Sequence, residues 1–153
     1  MVFCHEWVQV GDGTICAIRL NPDLKSALGS PIVLFSASSA DWTVEVKTHG
    51  VTGKVTDGPF LYGNKLGHLL MLWSSVGKEG YAMGLAASTN GEVTGPWVQQ
   101  EDLLYRADGG HGMFFTDFSG QLYLTLHRPN NSPNERPHFF PVAEQHGRIL
   151  FEK

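Results

Sequence analysis

The sequence predicts an all-β fold made of repeated antiparallel sheets, as in the blades of a β-propeller. Turn-forming residues are frequent, with 18 Gly and 8 Pro in 153 residues, and they separate short apolar segments of strand length. Segments 67–71 and 120–124 share the pattern Gly-x-Leu-x-apolar, at an offset of 53 residues. Repeats of about 40 to 50 residues, each forming one four-stranded sheet, are typical of propeller blades.

The first blade piece is predicted at residues 1–36. Its apolar segments are divided by turn sequences at 11–13 and 21–23. Residues 23–29 fit a single helical turn with a glycine stop, and no longer helix is expected. The next segment, 36–56, lacks periodicity and is predicted to be a long loop. We expect strands at 1–8, 14–20 and 32–35. Because strand-like sequence starts at the first residue, we expect the chain to be the C-terminal part of a longer protein.

Two further blade pieces are predicted at residues 55–101 and 110–153, within a single domain that covers the whole chain (1–153). Together the three pieces amount to about two and a half blades. A second internal match aligns residues 71–73 with residues 1–3. The predicted strands of these two pieces are 59–62, 68–75, 81–88, 112–116, 121–127, 138–142 and 148–152.

Charge and hydropathy exclude several classes of partner. The net charge is -4, from 11 Lys and Arg against 15 Asp and Glu, and no basic cluster is present. Nucleic acid is therefore not an expected partner. The longest apolar run, 69–73, is far shorter than the roughly 20 residues that cross a bilayer, so we expect no membrane partner. No signal-peptide pattern is recognisable at the start. Cys4 and Cys16 are expected to be reduced thiols that pack like small apolar side chains.

Two carboxylates are candidate catalytic groups. Asp57 precedes Gly58-Pro59 at the start of a predicted strand, where partial burial would raise the pKa of a carboxyl group and suit a general acid. The alternative is that Asp57 caps its own turn, as Asp before Gly commonly does. Glu6 lies with Cys4 on one face of the first predicted strand, where a charge is unfavourable unless it is paired or functional. The alternative for Glu6 is a strand end that reaches water.

The other candidates are histidines and tryptophans. His111 stands between glycines that permit close backbone approach, and its imidazole would bind a metal ion or orient a substrate. A buried, hydrogen-bonded histidine is the alternative. His5 and Trp7 are candidates for a sugar-binding edge of the first strand. Trp73 would stack on a sugar ring or pack in the core. The same two alternatives apply to the remaining candidates, Trp42 and Trp97.

Taken together, these motifs resemble glycoside hydrolase family 43, whose members are five-bladed β-propellers. The resemblance is carried by segments 56–62, 70–75 and 110–114. Segments 4–7 and 11–14 are similar to one branch of that family. The resemblance covers nearly the whole chain. It implies that the chain is a partial five-bladed β-propeller, corresponding to the C-terminal half of such a protein.

The family implies inverting hydrolysis of α-L-arabinofuranosides or β-D-xylosides in plant polysaccharides or their oligosaccharides. In an inverting mechanism a base activates water and an acid protonates the leaving oxygen, with room for the water between them. The resemblance places Asp57 at the position of the family's acid, which is usually Glu, and Glu6 is the alternative acid. The base and a modulating carboxylate would lie upstream of Met1, so we expect little activity from this chain alone.

The resemblance also implies a ligand and a possible ion. His111 matches a histidine at the propeller axis that commonly supports a calcium ion or a water beneath the site, and no cofactor is required. The expected partner is an arabinose- or xylose-containing oligosaccharide. Two alternatives remain open. The chain is a non-catalytic carbohydrate-binding piece of a propeller, or it self-associates through open blade faces, since unpaired sheet edges and apolar faces favour association.

Overall fold

The computed structural model describes residues 1–48 and 50–152, and nearly all of its regular structure is β-strand. The strands form three larger antiparallel sheets, and a two-stranded hairpin lies between the first and second of them in the chain. The expectation of an all-β fold made of antiparallel sheets is therefore confirmed.

The sheets follow one another along the chain, and each is built from consecutive strands. The first sheet contains β1 (Val2–His5), β2 (Thr14–Leu20) and β3 (Ala27–Ser36). The hairpin contains β4 (Val46–Thr48) and β5 (Val51–Gly53). The second sheet contains β6 (Asp57–Gly63), β7 (Leu69–Gly77), β8 (Gly80–Ser88) and β9 (Trp97–Gln99). The third sheet contains β10 (Gly110–Thr116), β11 (Leu122–Arg128), β12 (Arg136–Gln145) and β13 (Arg148–Phe151). The helical elements are α1 (Trp7–Val10) and a 3₁₀ turn (Ala37–Ser39).

The internal repeat appears in the structure as two equivalent turns. Between β6 and β7, the Asn64 side-chain oxygen accepts hydrogen bonds from the backbone N–H groups two and four residues further on, at 3.0 and 2.8 Å. Between β10 and β11, Asp117 does the same at 2.9 and 3.0 Å. Gly67 and Gly120 complete the turns with φ of 81° and 88°. Short polar side chains that accept hydrogen bonds from nearby N–H groups stabilise tight turns. The same local interactions therefore form the first turn of the second sheet and the first turn of the third sheet.

The second sheet is the middle layer of the fold. On β7, Leu70 and Leu72 pack with apolar residues of the third sheet. Their neighbours Met71 and Trp73 pack with apolar residues of the first sheet. All four side chains are at most 2% exposed. Successive side chains of a strand point to opposite faces, so a strand buried on both faces needs a continuous apolar run. The run at residues 69–73 supplies it.

The first sheet has three strands where the other two have four, and contacts between sheets show which strand has no counterpart. Strand β7 contacts β10 of the next sheet, and β1 makes the corresponding contact with β6. The contact between β7 and β10 includes a hydrogen bond from the His111 N–H to the Ser74 hydroxyl at 2.9 Å. Strand β1 is thus equivalent to β7, in agreement with the sequence match of residues 1–3. Within the described residues, the first sheet has no counterpart of β6.

The strand predicted at 1–8 is shorter than expected. It ends at His5, and Trp7 then begins the helical turn α1. The indole turns inward over Gly53 of β5, where a Cβ would stand 3.0 Å from the ring. Trp7 is 8% exposed. The prediction that Trp7 belongs to a sugar-binding edge is therefore wrong, because its ring packs inside the fold.

The segment between the first and second sheets is more regular than its sequence indicates. The loop predicted at 36–56 contains the 3₁₀ turn and the β4–β5 hairpin. It is fastened to the second sheet by the Val44 N–H, which donates to the Val76 carbonyl at 2.9 Å. The helical turn predicted at 23–29 is also wrong, because β3 already begins at Ala27. The end of this segment forms a strand because its backbone pairs with β2, although its own sequence shows no strand alternation.

Both outer sheets carry exposed apolar side chains. Val33 of β3 is 63% exposed, and Phe139 of β12 is 59% exposed. Exposed apolar faces of this kind favour association, and self-association through them stays a prediction. Cys4 and Cys16 are free thiols, as expected. In the part of the chain that the structure describes, no helix is long and apolar enough to cross a membrane.

Candidate functional site

Three of the predicted site residues lie near the ends of neighbouring strands. Asp57 is the first residue of β6, His111 is the second residue of β10, and Glu6 directly follows β1. Strand β6 contacts both β1 and β10. The structure therefore gathers one candidate residue from each sheet around the start of β6.

The Asp57 carboxylate accepts three hydrogen bonds. Its Oδ1 accepts from the Gly58 backbone N–H at 2.9 Å and from His111 Nδ1 at 3.2 Å. Its Oδ2 accepts from the Tyr81 hydroxyl at 2.7 Å. The bond to Gly58 is the turn contact that was expected as the alternative role of Asp57. The other two bonds link Asp57 to Tyr81 in the second sheet and to His111 in the third sheet. Three donors around one carboxyl group favour its ionised form.

These contacts shift the protonation of the whole cluster. Burial raises the pKa of Asp57, but the hydrogen bonds from His111 and Tyr81 outweigh burial and hold that pKa below its ordinary value. The hydrogen bond to Asp57 outweighs burial at His111 and raises the pKa of the imidazole. Burial and the Asp57 charge raise the pKa of Tyr81, so its hydroxyl stays a donor. The raised pKa expected for Asp57 is therefore wrong, and with it the sequence-based reason for making Asp57 the general acid.

Glycines allow the strands to approach closely enough for this cluster to form. Gly58 has a φ of 51°, and a Cβ there would stand 2.9 Å from Cδ2 of His111. A Cβ on Gly110 would stand 2.4 Å from Cε1 of Tyr81. Neither position has room for a larger side chain, so the glycines around the Asp57 and His111 motifs serve close backbone packing.

Sequence reasoning missed three members of the site. Tyr81 follows the turn that opens β8, and it reaches Asp57 only because β6, β7 and β8 pair side by side. Ser74 receives the His111 N–H, and the polar Ser74-Ser75 pair that ends an apolar run was a signal for it. Burial raises the pKa of the Cys4 thiol to about 12, and the charges of Asp57 and Glu6 add to the effect.

Glu6 has a more open environment than Asp57. It is exposed, precedes the helical turn α1, and its side chain makes no capping hydrogen bond. His5, at the end of β1, is also exposed. Both side chains are therefore accessible to a ligand at this end of β1. The alternative in which Glu6 simply reaches water at a strand end fits the structure equally well.

Trp73 does not face a ligand. Its indole is fully buried between Phe35, at a ring distance of 5.3 Å, and Trp42, at 4.9 Å. Its Nε1 donates to the Gln99 side chain at 3.0 Å. The prediction of Trp73 as a sugar-binding residue is therefore wrong, because the ring belongs to the core between the first and second sheets.

The residues around His111 do not form a metal site by themselves. Across residues 1–48 and 50–152, no three His, Cys, Asp or Glu side chains are grouped so that they could hold a metal ion. A calcium ion takes six to eight oxygen ligands, whereas the cluster offers one carboxylate that is already engaged. The calcium ion expected at the axis stays a prediction.

Several solved structures are similar to this chain. The chain is 47% identical to an endo-arabinase from Bacteroides thetaiotaomicron, with a TM-score of 0.90 over 96% of this chain and 52% of that one. It also matches a thermostable family-43 glycoside hydrolase at 18% identity, with a TM-score of 0.73 over 93% of this chain and 48% of that one. The resemblance to glycoside hydrolase family 43 is confirmed.

Other comparisons add the extent of the match. An endo-1,4-beta-xylanase from Bacteroides thetaiotaomicron shares 20% identity, with a TM-score of 0.68 over 92% of this chain and 50% of that one. This chain thus spans about half the length of these three structures. No protein-family model matches the chain, and no curated protein matches it. The partial β-propeller fold is confirmed by the family 43 similarity.

Proposed function

We propose that the chain is part of a glycoside hydrolase that cleaves arabinose- or xylose-containing polysaccharides or their oligosaccharides. The observation that carries the proposal is the 47% identity to the endo-arabinase over 96% of the chain. An arabinan is therefore the first substrate to test, and a xylan is the second.

Two carboxylates take different parts in the proposed reaction. Asp57 stays ionised under three donors and stabilises positive charge that develops at the sugar ring. Glu6 is exposed and its side chain caps no N–H group, so it is free to carry a proton to the leaving oxygen. The sequence-based expectation had the opposite order, with Asp57 as the acid and Glu6 as the alternative. His111 and Tyr81 act as positioning residues through Asp57.

The water-activating base of an inverting enzyme must stand on the opposite side of the bond from the acid. The proposal therefore needs a third carboxylate from outside the described residues. We propose that this carboxylate belongs to a part of the propeller outside this chain, which spans about half the length of the similar structures.

Sugar binding without hydrolysis is the second candidate function. It is favoured by one observation: the residue at the family's acid position, Asp57, is shorter by one methylene and is held by three donors. Under this proposal the site still binds a sugar, but no group there delivers a proton.

Hydrolysis assays test the proposal on a full-length protein that also supplies the base, because this chain alone is expected to hydrolyse little. We expect linear arabinan, or else xylan, to yield shorter oligosaccharides, and the first product to have the anomeric form opposite to that of the cleaved bond. The Glu6→Gln, Asp57→Asn double variant is the control for a contaminating enzyme. Calorimetric binding without products would support the second candidate, and neither binding nor products would contradict both.

A further inference from the structure

A cavity lies away from Asp57, between the segment that follows the first sheet and the last strand of the second sheet. It has a volume of about 650 Å³. One wall is formed by Ser39, Asp41 and Trp42, which come after β3 in the chain, and the other includes β9, the last strand of the second sheet. We call it the rim cavity. Three strand spacings of about 4.8 Å separate β9 from β6, so the rim cavity and the carboxylate cluster are roughly 14 Å apart across the sheet. Its lining includes Ser39, Asp41, Trp42, Trp97, Gln100 and Glu101.

Two partly exposed indole rings in the rim cavity are held in fixed positions. Trp97 Nε1 donates to the Val93 carbonyl at 3.0 Å, and a Cβ on Gly95 would stand 2.6 Å from the ring. Trp42 lies on Gly84 of β8, where a Cβ would stand 2.8 Å from the indole. Both rings pack on the core cluster between the first and second sheets while keeping some exposure. The rings therefore form a rigid apolar surface that needs no rearrangement to receive a ligand.

Hydrogen bonds also join the two walls of the rim cavity. The Gln99 amide donates to the Ser39 hydroxyl at 3.3 Å and accepts from the buried Trp73 indole at 3.0 Å. Around the rings, Asp41 and Glu101 are exposed and Gln100 is half-buried. The cavity thus combines flat aromatic surface with carboxylate and amide groups, and its size is within the range of small-molecule sites.

We infer that the rim cavity binds a neutral oligosaccharide, as a second sugar site separate from the carboxylate cluster. Indole faces match the C–H faces of sugar rings, and the carboxylate and amide groups match sugar hydroxyls. The acidic side chains disfavour anionic sugars and phosphates. The choice of ligand class rests on the proposed function, whereas the cavity and its rings do not.

The rim site gives a role to two tryptophans, Trp42 and Trp97, that take no part in the proposed hydrolysis. The sequence offered core packing or sugar stacking for the tryptophans, and the structure divides these roles. Trp73 is wholly in the core, and Trp42 and Trp97 each present part of a ring to the rim cavity. A rim site would hold one stretch of a polysaccharide while another stretch meets Asp57.

Calorimetric titration with arabinotriose and with xylotriose tests the inference, using the Glu6→Gln, Asp57→Asn double variant so that the probes are not consumed. We expect Trp97→Ala to weaken binding of the preferred probe roughly tenfold, and Trp97→Phe to retain most of it. Phe118→Ala removes an exposed aromatic ring on the third sheet and is the matched control. Thermal melting checks that each variant folds. If Trp97→Ala does not fold, Gln100→Ala, at the edge of the cavity, replaces it as the test.

Each outcome decides the inference. Weaker binding in Trp97→Ala or Gln100→Ala, but not in Phe118→Ala, supports a rim site. Binding that is unchanged in both rim variants means that the probe binds elsewhere, and it overturns the inference. The proposed hydrolysis of arabinan or xylan does not depend on this result. Failure of the wild-type protein to bind either probe also overturns it. Rim binding without hydrolysis by the full-length wild-type protein would contradict the proposed function alone.

Discussion

The ends of β1 and β6 both present a carboxylate in the same region of the molecule, but their surroundings differ. At the start of β6, Asp57 is enclosed by donors from Gly58, Tyr81 and His111. After β1, Glu6 is exposed and its side chain caps no N–H group. Two carboxyl groups in different environments take different protonation roles. The comparison teaches that neighbours contributed by other strands, rather than the position at a strand end, hold the Asp57 carboxyl group in its ionised form.

Replacing Glu6 is expected to have the largest effect. Glu6→Gln keeps the shape of the side chain but removes its proton, so hydrolysis of the polysaccharide should fall by about 10² to 10⁴-fold. The measurement is kcat on the substrate identified by the hydrolysis assay. Glu45→Gln, at an exposed position between the first and second sheets, is the matched control and should be near wild type.

Replacing Asp57 is expected to have a smaller effect on the same assay. Asp57→Asn removes the negative charge and weakens the contact that holds His111, so kcat should fall on the order of 10²-fold. Asp23→Asn, at an exposed turn, is the control. Equal activity of Asp57→Asn and wild type would reduce Asp57 to the turn residue that its Gly58 contact also permits.

Stability against pH tests whether Asp57 and His111 form an ionic pair. The lowered pKa of Asp57 means that its contribution to stability is present above the ordinary Asp value of about 4 and is lost as pH falls through the folded pKa. The raised pKa of His111 means that its contribution is full below about 6.5 and is lost as pH rises through the folded pKa. Urea unfolding should show the largest difference between wild type and Asp57→Asn from about pH 4 to 6.5. A difference that does not vary with pH would contradict the pair.

The smallest expected effect concerns the Tyr81 hydroxyl. Tyr81→Phe removes one donor from Asp57, so the pKa of that carboxyl group should rise toward its ordinary value. Carboxyl chemical shifts followed by NMR during a pH titration measure this change. Tyr123→Phe, whose ring stacks on Phe115 in the third sheet, is the matched control. An unchanged Asp57 titration in Tyr81→Phe would show that the hydroxyl does not hold the carboxylate.

Local patterns in the sequence predicted the features that depend on neighbouring residues. The equivalent turns at Asn64 and Asp117 follow from short polar side chains and glycines, and the buried strand β7 follows from its apolar run. The motifs at Asp57 and His111 indicated the site for the same reason. Their pairing was not predictable, because it depends on the approach of β6 and β10, which are far apart in the chain.

Contacts between distant segments account for the wrong predictions. Trp7 turns inward because Gly53 of a later hairpin leaves space for the indole. Trp73 is buried because the first and second sheets pack around it. The pKa of Asp57 is lowered because His111 reaches it from the third sheet and Tyr81 from the third strand of its own sheet. None of these partners lies within the local window that sequence patterns report.

The most direct test of the account compares the two carboxylates on substrates with different leaving groups. A glycoside with a good leaving group, such as a dinitrophenyl arabinoside or xyloside, does not need protonation, whereas the oligosaccharide does. We predict that Glu6→Gln loses activity on the oligosaccharide but keeps most of it on the activated glycoside, and that Asp57→Asn loses activity on both. The reverse result, with Asp57→Asn recovering on the activated glycoside and Glu6→Gln failing on both, would contradict the assignment of Asp57 as the ionised carboxylate and Glu6 as the proton donor.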